Sequence, residues 1–236
     1  MVLAEYIEDC LREVNNPTDG DAEAAAVSGL FGNMLIGKFE PPDKIKRLLL
    51  QRRLRYKHWK ARCTAAWNFK YFLEYDVDAM IHIMRDGLND PHPKVRANSV
   101  FSLQHALHLM NTNGRAAIRD WDAAMKERIN MRRGDLVDEI LDLIITKGLT
   151  DKNSDVVVAA IHVVSSDKIR PTVTRLRALD RVLDRKGIHN ASDREIARKV
   201  RDKWNQIVNP GEPLVPKPAS IKPAPDDPFA DPKPRP

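Results

Sequence analysis

The chain has 236 residues, of which 42% are hydrophobic and 31% charged, a composition typical of a globular protein with a substantial core. Its two cysteines, Cys10 and Cys63, form neither a metal-ligand spacing nor a disulfide framework, so we expect a cytoplasmic or otherwise intracellular protein. No apolar run reaches the roughly 18–20 residues of a membrane span, and the first residues lack the basic start and apolar stretch of a secretory signal. We therefore expect no membrane partner.

The formal net charge of +6 is unevenly distributed along the chain. Residues 1–27 hold seven acidic side chains and one basic one, whereas residues 209–236 hold four of each, which leaves about +12 on residues 28–208. Within that middle part, residues 44–62 contain nine lysines and arginines and no acid. Such an asymmetry indicates an anionic partner, with nucleic acid ahead of membrane lipid or an acidic protein. The alternative is a solvated helix face whose charges only keep the protein soluble.

Apolar periodicity and helix-breaking residues predict helices along most of the first 208 residues. In chain order they cover residues 2–14, 21–35, 77–88, 95–109, 115–131, 136–149, 155–165, 171–186 and 193–208. Three glycines (Gly29, Gly32 and Gly37) count against a long second helix. Residues 44–73 form either one long helix or two helices that meet near residues 56–58, and the repeat pattern favours two. Convincing strand patterns are absent, so the predicted fold class is all-α.

A helix-turn-helix unit at residues 77–109 recurs, in weaker form, at residues 59–67 and 156–164. Repeated helical hairpins of this kind stack side by side and share a core with their neighbours. At the central turn, Asp90 is suited to accept hydrogen bonds from the first amides of the second helix, and a proline that follows it fits the first turn.

This central unit carries the clearest family likeness. The Asp90-Pro91 turn, followed by Pro93-x-Val95-Arg96 and by Leu103, resembles the second-helix signature of HEAT repeats. The resemblance covers residues 43–165 and implies antiparallel helical hairpins stacked as a short right-handed solenoid, whose concave face binds proteins or nucleic acids. Residues 59–67 lack the Asp-Pro turn, and Val157 stands where the signature has arginine.

A second likeness concerns residues 81–103 and 177–186, the latter reading RALDRVLDRK. They look like helical segments of small phage DNA-packaging proteins of the small terminase type. This likeness implies a viral protein that acts on DNA inside a host cell, although no DNA-reading motif of that family is visible near the start of the chain.

The acid-free segment supplies the strongest candidate site. On a helical wheel its polar side chains fall on one stripe opposite the apolar stripe, and cations one turn apart can neutralise successive phosphates. Seven of the fourteen aromatic residues lie between residues 56 and 75. Trp59, Trp67 and Phe72 are predicted to be core, whereas two tyrosines are predicted to be exposed and able to stack on bases. The predicted nucleic-acid-binding residues are Lys44, Arg47, Arg55, His58, Arg62, Tyr71 and Tyr75.

Other chemistry is weakly supported. His105 and His108 are one helical turn apart and could share a metal, but no acid or thiol lies near them in sequence, so no metal is expected. Phosphate-binding loops and nucleophile motifs are missing, and we expect neither a cofactor nor catalysis.

The predicted organisation has three parts. Residues 1–40 form an acidic helical segment and linker, residues 41–208 the helical-repeat domain, and residues 209–236 a disordered tail with ten prolines. In the tail, Asp227, Pro228 and Phe229 resemble a short linear motif that docks to a partner protein. The alternative is a passive spacer.

Two hypotheses of function follow. The first is a non-catalytic helical-repeat scaffold that holds an anionic partner, with nucleic acid favoured and viral DNA packaging as one concrete form. The alternative is a protein–protein adaptor that uses the repeat groove and the tail. Under the alternative, the basic stripe would face an acidic protein or the chain's own acidic N-terminal segment.

Overall fold

The computed structural model describes residues 3–36, 42–111 and 123–164, together with residues 166, 198 and 202. Every regular element in these ranges is helical, which confirms the all-α prediction. The α-helices are α1 (Leu3–Asn15), α2 (Gly20–Ile36), α3 (Pro42–Arg52), α4 (Trp59–Asn68), α5 (Val77–Gly87), α6 (Pro93–Asn111), α7 (Ala123–Leu143) and α8 (Ser154–Val164). A 3-10 helix, Phe69–Glu74, follows α4, and a π-helical turn, Ile144–Gly148, follows α7. The helix predicted at residues 171–186 and the tail lie outside the described residues, and of the helix predicted at residues 193–208 only residues 198 and 202 are described, both as helical.

The segment 44–73 contains two α-helices rather than one. Helix α3 ends at Arg52, and Arg53 has a φ of 53°, in the left-handed region that non-glycine residues rarely adopt. The chain then turns before α4 begins at Trp59. The predicted break near residues 56–58 is therefore present, and its consequence for the basic segment is described below.

The second helix of each pair packs against the second helix of the next. Helix α2 packs against α1, α3 and α4, and α4 packs in turn against α6. Helix α6 also packs against α5, α7 and α8. Helix α2 of the acidic N-terminal segment therefore contacts both α3 and α4 of the basic segment.

An arginine near the start of α4 ties this pair to the following turn. Arg62, the fourth residue of α4, donates from Nε and Nη2 to the Asp90 carboxylate at 2.7 and 3.3 Å. Its Nη1 donates to the carbonyls of Tyr56 and Lys57, both at 3.2 Å, in the turn that precedes its own helix. One guanidinium thus bridges two successive turns.

The same arrangement recurs one unit later. Arg96, the fourth residue of α6, donates from Nε and Nη2 to Asp151 at 2.6 and 2.9 Å. Its Nη1 donates to the carbonyls of Asp90 and Pro91 at 2.8 and 3.1 Å. Two successive units of the sequence repeat therefore share the same pattern of arginine hydrogen bonds.

The first and last units carry different residues at this position. Glu23, the fourth residue of α2, accepts hydrogen bonds from the backbone N–H groups of Lys57 and His58 at 3.0 and 2.8 Å. The fourth residue of α8 is Val157, which is buried. We call the set Glu23, Arg62 and Arg96 the turn-bridging series. It joins each described interhelical turn to the next one.

Sequence signals at the central turn agree with the structure. The Asp90 carboxylate accepts a hydrogen bond from the His92 N–H at 2.8 Å, and α6 begins at Pro93. A proline in the first helical turn costs no backbone hydrogen bond, because the N–H group that it lacks would have had no partner inside the helix. The same carboxylate also receives Arg62, so Asp90 both orders its own turn and binds the preceding unit.

Aromatic side chains fill the core near the first units. Phe31 of α2 meets Phe69 and Phe72 edge to face, with ring centroids 5.2 and 6.1 Å apart. The prediction that Phe72 is core is confirmed, since it is fully buried. The prediction for Trp67 is wrong, because 44% of this residue is exposed. Trp59 is half-buried and stacks on the His92 ring at 4.0 Å.

Helix α7 corrects one predicted boundary. Residues 115–131 and 136–149 were expected to form separate helices, but α7 runs without interruption from Ala123 to Leu143. Gly134 lies within it, and nothing lies within 4 Å of the position that a Cβ would take there. This glycine therefore only lowers helix propensity and does not break the helix.

Glycines elsewhere permit close contact between helices. At Gly87, the last residue of α5, an added Cβ would overlap the buried Ser99 hydroxyl of α6 and lie 3.0 Å from Leu54 Cδ1. Gly29 of α2 faces Tyr6 and Cys10 of α1 in a similar way. Gly29, which counted against a long second helix in the sequence, therefore allows α1 to pack closely against α2.

Candidate nucleic-acid interface

The expected single stripe of cations does not form. Lys44, Arg47 and Gln51 lie on α3, whereas Arg55 lies in the turn after it and Arg62 on α4. A single stripe would require one continuous helix through all of these residues. Because the chain turns after Arg52, the stripe is divided between two elements.

Arg62 is not available to a phosphate. Its side chain is 17% exposed and that of Asp90 is 7% exposed, with the two groups in bidentate contact. A guanidinium that already binds a carboxylate and two carbonyls has few donors left. The assignment of Arg62 to a nucleic-acid interface is therefore corrected to a structural role in the turn-bridging series.

Four more cations of the segment also have partners. Lys46 pairs with Asp43 at 3.2 Å, and Arg53 with Asp86 at 3.6 Å. Lys60 pairs with Asp21 of α2 at 2.6 Å. Arg52 donates to the Val14 carbonyl at 3.3 Å and to the Asn15 side chain. The acidic N-terminal segment thus supplies one carboxylate, Asp21, and two uncharged acceptors to the basic one.

Three exposed cations of the segment pair with no carboxylate among the described residues. They are Arg47, Arg55 and Lys57. Arg47 donates only to the Asp43 carbonyl of its own helix, at 3.3 Å. Arg47, Arg53 and Arg55 line a shallow depression of about 400 Å³ together with Leu50 and Gln51. We call this depression the arginine hollow.

Lys44 lies on a neighbouring groove. That groove separates α1 from α3, has a volume of about 460 Å³ and is lined by Ile7, Glu8, Leu11, Lys44, Ile45, Arg47, Leu48 and Gln51. Lys44 is exposed but engaged in an interaction of its own, and Glu8 brings an acid to the same groove. Arg47 therefore lies between this mixed groove and the arginine hollow.

His58 has a structural position. It caps α4, its backbone N–H donates to Glu23, and its ring lies against Gly20, where an added Cβ would come within 3.2 Å of His58 Cβ. Its Nε2 is buried and has no hydrogen-bond partner in the described part of the chain. The ring therefore faces the protein interior, and a direct contact with phosphate would require it to move.

The two tyrosines are half-buried rather than exposed. Both pack against the hydrophobic core. Lys46 Nζ lies 3.6 Å from the centroid of the Tyr75 ring, and Lys70 Nζ lies 5.1 Å from that of Tyr71. Each ring has one side occupied by the core, so only an edge or the outer part of Tyr71 and Tyr75 is left for a ligand.

Sequence reasoning missed an aromatic groove between the end of α4 and the middle of α6. Trp67 and Phe101, with ring centroids 6.2 Å apart, are 44% and 36% exposed. Lys70 Nζ lies 3.7 Å over the Trp67 ring. The groove has a volume of about 350 Å³, and the described residues that line it are Trp67, Lys70, Phe101, Gln104, His105, His108 and Ser166. We call it the tryptophan groove.

The two histidines of α6 belong to this groove. Burial lowers the pKa of His105, and the nearby Lys70 and His108 lower it further. In the described ranges no set of three or more His, Cys, Asp or Glu side chains is placed to hold a metal ion. The pair at residues 105 and 108 therefore adds hydrogen-bonding groups to an aromatic surface.

No family model, curated protein or solved structure matches this chain. Among the described helices, none is both long and apolar enough to cross a membrane. What the protein does must therefore be inferred from its own side chains.

Proposed function

We propose that this chain is a non-catalytic helical-repeat scaffold that binds nucleic acid, with the arginine hollow as the contact surface. The repeated hydrogen bonds of the turn-bridging series support a HEAT-like stack of hairpins, in the form of a short right-handed solenoid. The observation that carries the ligand class is the exposure of Arg47 and Arg55 on one hollow with no acidic residue among its described lining. Two neighbouring guanidinium groups without a carboxylate partner favour phosphate, while the third of the hollow, Arg53, is paired with Asp86.

DNA is the first probe to use. The likeness of residues 81–103 and 177–186 to small-terminase-type segments makes viral DNA packaging one concrete form of this proposal. Such a scaffold would hold the phosphate backbone, and phosphate contacts position a protein without reading sequence. Binding should therefore depend on salt far more than on base composition.

Charge reversal tests the proposal. Arg47→Glu with Arg55→Glu should abolish binding to a duplex at moderate salt and reduce the slope of log affinity against log salt by about 1.8, since each lost phosphate contact contributes about 0.9. Fluorescence anisotropy with a labelled duplex over a range of salt concentrations measures both quantities. Arg62 is left unchanged, because its replacement would unpair the buried Asp90.

A matched control separates local from global charge. Lys147→Glu with Lys152→Glu changes the net charge by the same amount at two exposed positions near α8. The proposal requires this control to retain most of the binding. Equal losses in both variants would show that only overall charge matters, and an absence of binding in the unmodified chain at low salt would reject the proposal.

A protein–protein adaptor is the second candidate. The acidic partners of Lys60 and of the turn at residues 57–58 favour it, because the chain already uses part of its basic surface against its own acids. The exposed pair Trp67 and Phe101 adds an apolar patch of the kind that marks interfaces. Partners that survive nuclease treatment in a pull-down would favour the adaptor, whereas partners that disappear would favour nucleic acid.

A further inference from the structure

The tryptophan groove has an unusual combination of groups for an exposed surface. Only Leu35, Trp67 and Phe101 are exposed among the large hydrophobic residues that the structure describes, and two of these three share the groove. Lys70 stands over the indole, and no acidic residue is among the described lining. A ligand that offered an aromatic ring beside a carboxylate would satisfy both the apolar and the cationic groups.

We infer that the tryptophan groove is the docking site of the chain's own Asp226-Asp227-Pro228-Phe229 segment. The segment places two carboxylates directly before a proline and a phenylalanine. The carboxylates complement the Lys70 ammonium and can accept hydrogen bonds from the two histidines, while the Phe229 ring can meet the ring edges of Trp67 and Phe101. Aromatic pairs of this kind gain from edge-to-face contact beyond the area that they bury.

Proline favours this segment as a ligand for entropic reasons. Pro228 has a fixed φ, and the residue before a proline is restricted to extended conformations. The two residues that bracket the contact therefore lose less freedom on docking than a flexible sequence would. Phe229 is also the last aromatic residue of the chain, so the tail offers no competing ring.

The connecting chain is long enough. Ser166 lines the groove, and Asp226 follows 60 residues later in the sequence. Even if the predicted helices at residues 171–186 and 193–208 contribute no reach, the 17 residues from Asn209 to Asp226 can span up to about 56 Å when extended. Tethering also raises the local concentration of the segment above that of a free partner in dilute solution. Docking can therefore be well populated even though one exposed ion pair and one ring contact give only weak affinity.

A nucleic-acid base is a poorer occupant than this segment. Base stacking needs an open ring face, and Lys70 already covers one face of Trp67 at 3.7 Å. The other aromatic wall, Phe101, meets Trp67 at an interplanar angle of 72°, so the two rings do not form a parallel slot. An aromatic side chain that enters edge-on beside a carboxylate fits this geometry better.

Photo-crosslinking in the full-length chain tests the inference. A benzophenone amino acid replaces Phe229, and the adducts are mapped by mass spectrometry. Adducts should concentrate on peptides that contain residues 67–70 and 101–108, at a yield that does not depend on protein concentration. The same probe at Leu214, elsewhere in the tail, is the control and should show no preference for these peptides.

Charge exchange tests the chemistry of recognition. Lys70→Glu should lower the groove adducts about twofold to fivefold, as expected for loss of one exposed ion pair. Asp226→Lys with Asp227→Lys should lower them as well, without changing any described residue. The combination of all three changes should restore much of the yield. Circular dichroism verifies that each variant keeps its helix content.

Three results would overturn the inference. The first is a spread of adducts over the surface that matches the Leu214 control. The second is groove adducts that respond to neither charge change, and the third is a yield that rises with concentration, which assigns the groove to a second copy. If the groove instead cross-links to a halogenated single-stranded oligonucleotide at Trp67 or Phe101 while Phe229 ignores it, its occupant is nucleic acid.

Discussion

Arg96 and Asp151 form an enclosed ion pair, with side chains that are 7% and 8% exposed. Burial alone would raise the pKa of Asp151, but hydrogen bonds from Arg96 and from the Asn153 N–H, together with the Arg96 charge, lower it below its ordinary value of 3.8. In return, the Asp151 hydrogen bond raises the pKa of Arg96. Each group is therefore stable in the interior only while the other is charged.

Removing one partner should be costly. Arg96→Leu leaves a buried carboxylate without its guanidinium, and we expect the free energy of unfolding to fall by about 3–5 kcal/mol. The double variant Arg96→Leu with Asp151→Leu removes both charges and should recover much of this loss. Urea denaturation measures each value, and Arg47→Leu, at an exposed site, serves as the control. A single variant that is as stable as the control would contradict a structural role for the pair.

The same pair predicts a pH dependence. Because the pKa of Asp151 is lower in the folded chain than its ordinary value of 3.8, the unfolded chain takes up the proton first as pH falls. The stability that Asp151 contributes is therefore complete above that value and is lost as pH falls through the folded pKa. The difference in unfolding free energy between the unmodified chain and Asp151→Asn should be constant near neutral pH and shrink below about pH 4. A constant difference down to pH 2 would contradict this.

Partners distant in sequence explain why the candidate site was only partly predictable. A window of residues 44–62 has no acid, yet Asp21, Asp86 and Asp90 come from outside it to pair with three of its cations. Local charge counting therefore finds the cations but not which of them stay exposed. Arg47 and Arg55 could be named from sequence, whereas the structural use of Arg62 could not.

Helices α5 and α6 approach closely at Gly87, and a pair of glycine substitutions tests this contact. Gly87→Ala places a methyl group against the buried Ser99 hydroxyl and within 3.0 Å of Leu54, so we expect a loss of about 1–3 kcal/mol in unfolding free energy. Gly134→Ala in α7 meets nothing within 4 Å and should instead stabilise by about 0.5–1 kcal/mol through helix propensity. Thermal or urea denaturation compares the two. A similar effect from both would mean that Gly87 is not a packing contact.

Helix α4 shows why Trp67 was wrongly predicted to be buried. Its fully buried residues are Ala61, Ala65 and Ala66, because α4 is packed between α2 and α6 and small side chains let the backbones approach. The larger Trp67 lies on another face and is exposed, whereas Trp59 is half-buried. Apolar spacing located the helix correctly, but size rather than hydrophobicity decided which face turned inward.

At the scale of the whole molecule, local signals were sufficient for the fold class and insufficient for the charge pattern. Helix caps and breakers act within a few residues, so the all-α class and the turn at Asp90 were predictable. For residues 44–73 the repeat pattern only favoured two helices that meet near residues 56–58, whereas α3 ends at Arg52. The ion pair between Lys60 and Asp21 depends on how α2 packs against α4. No periodicity within either segment contains that information.

The turn-bridging series also has a direction. It begins with an acid in α2, continues with two arginines and meets a buried valine in α8. An arginine guanidinium donates hydrogen bonds to the turn of the next unit, whereas an aliphatic side chain has no donor for such a contact. Among the described helices this kind of coupling therefore ends at Val157, and a hairpin grafted after α8 would need an arginine at this position to be held in the same way.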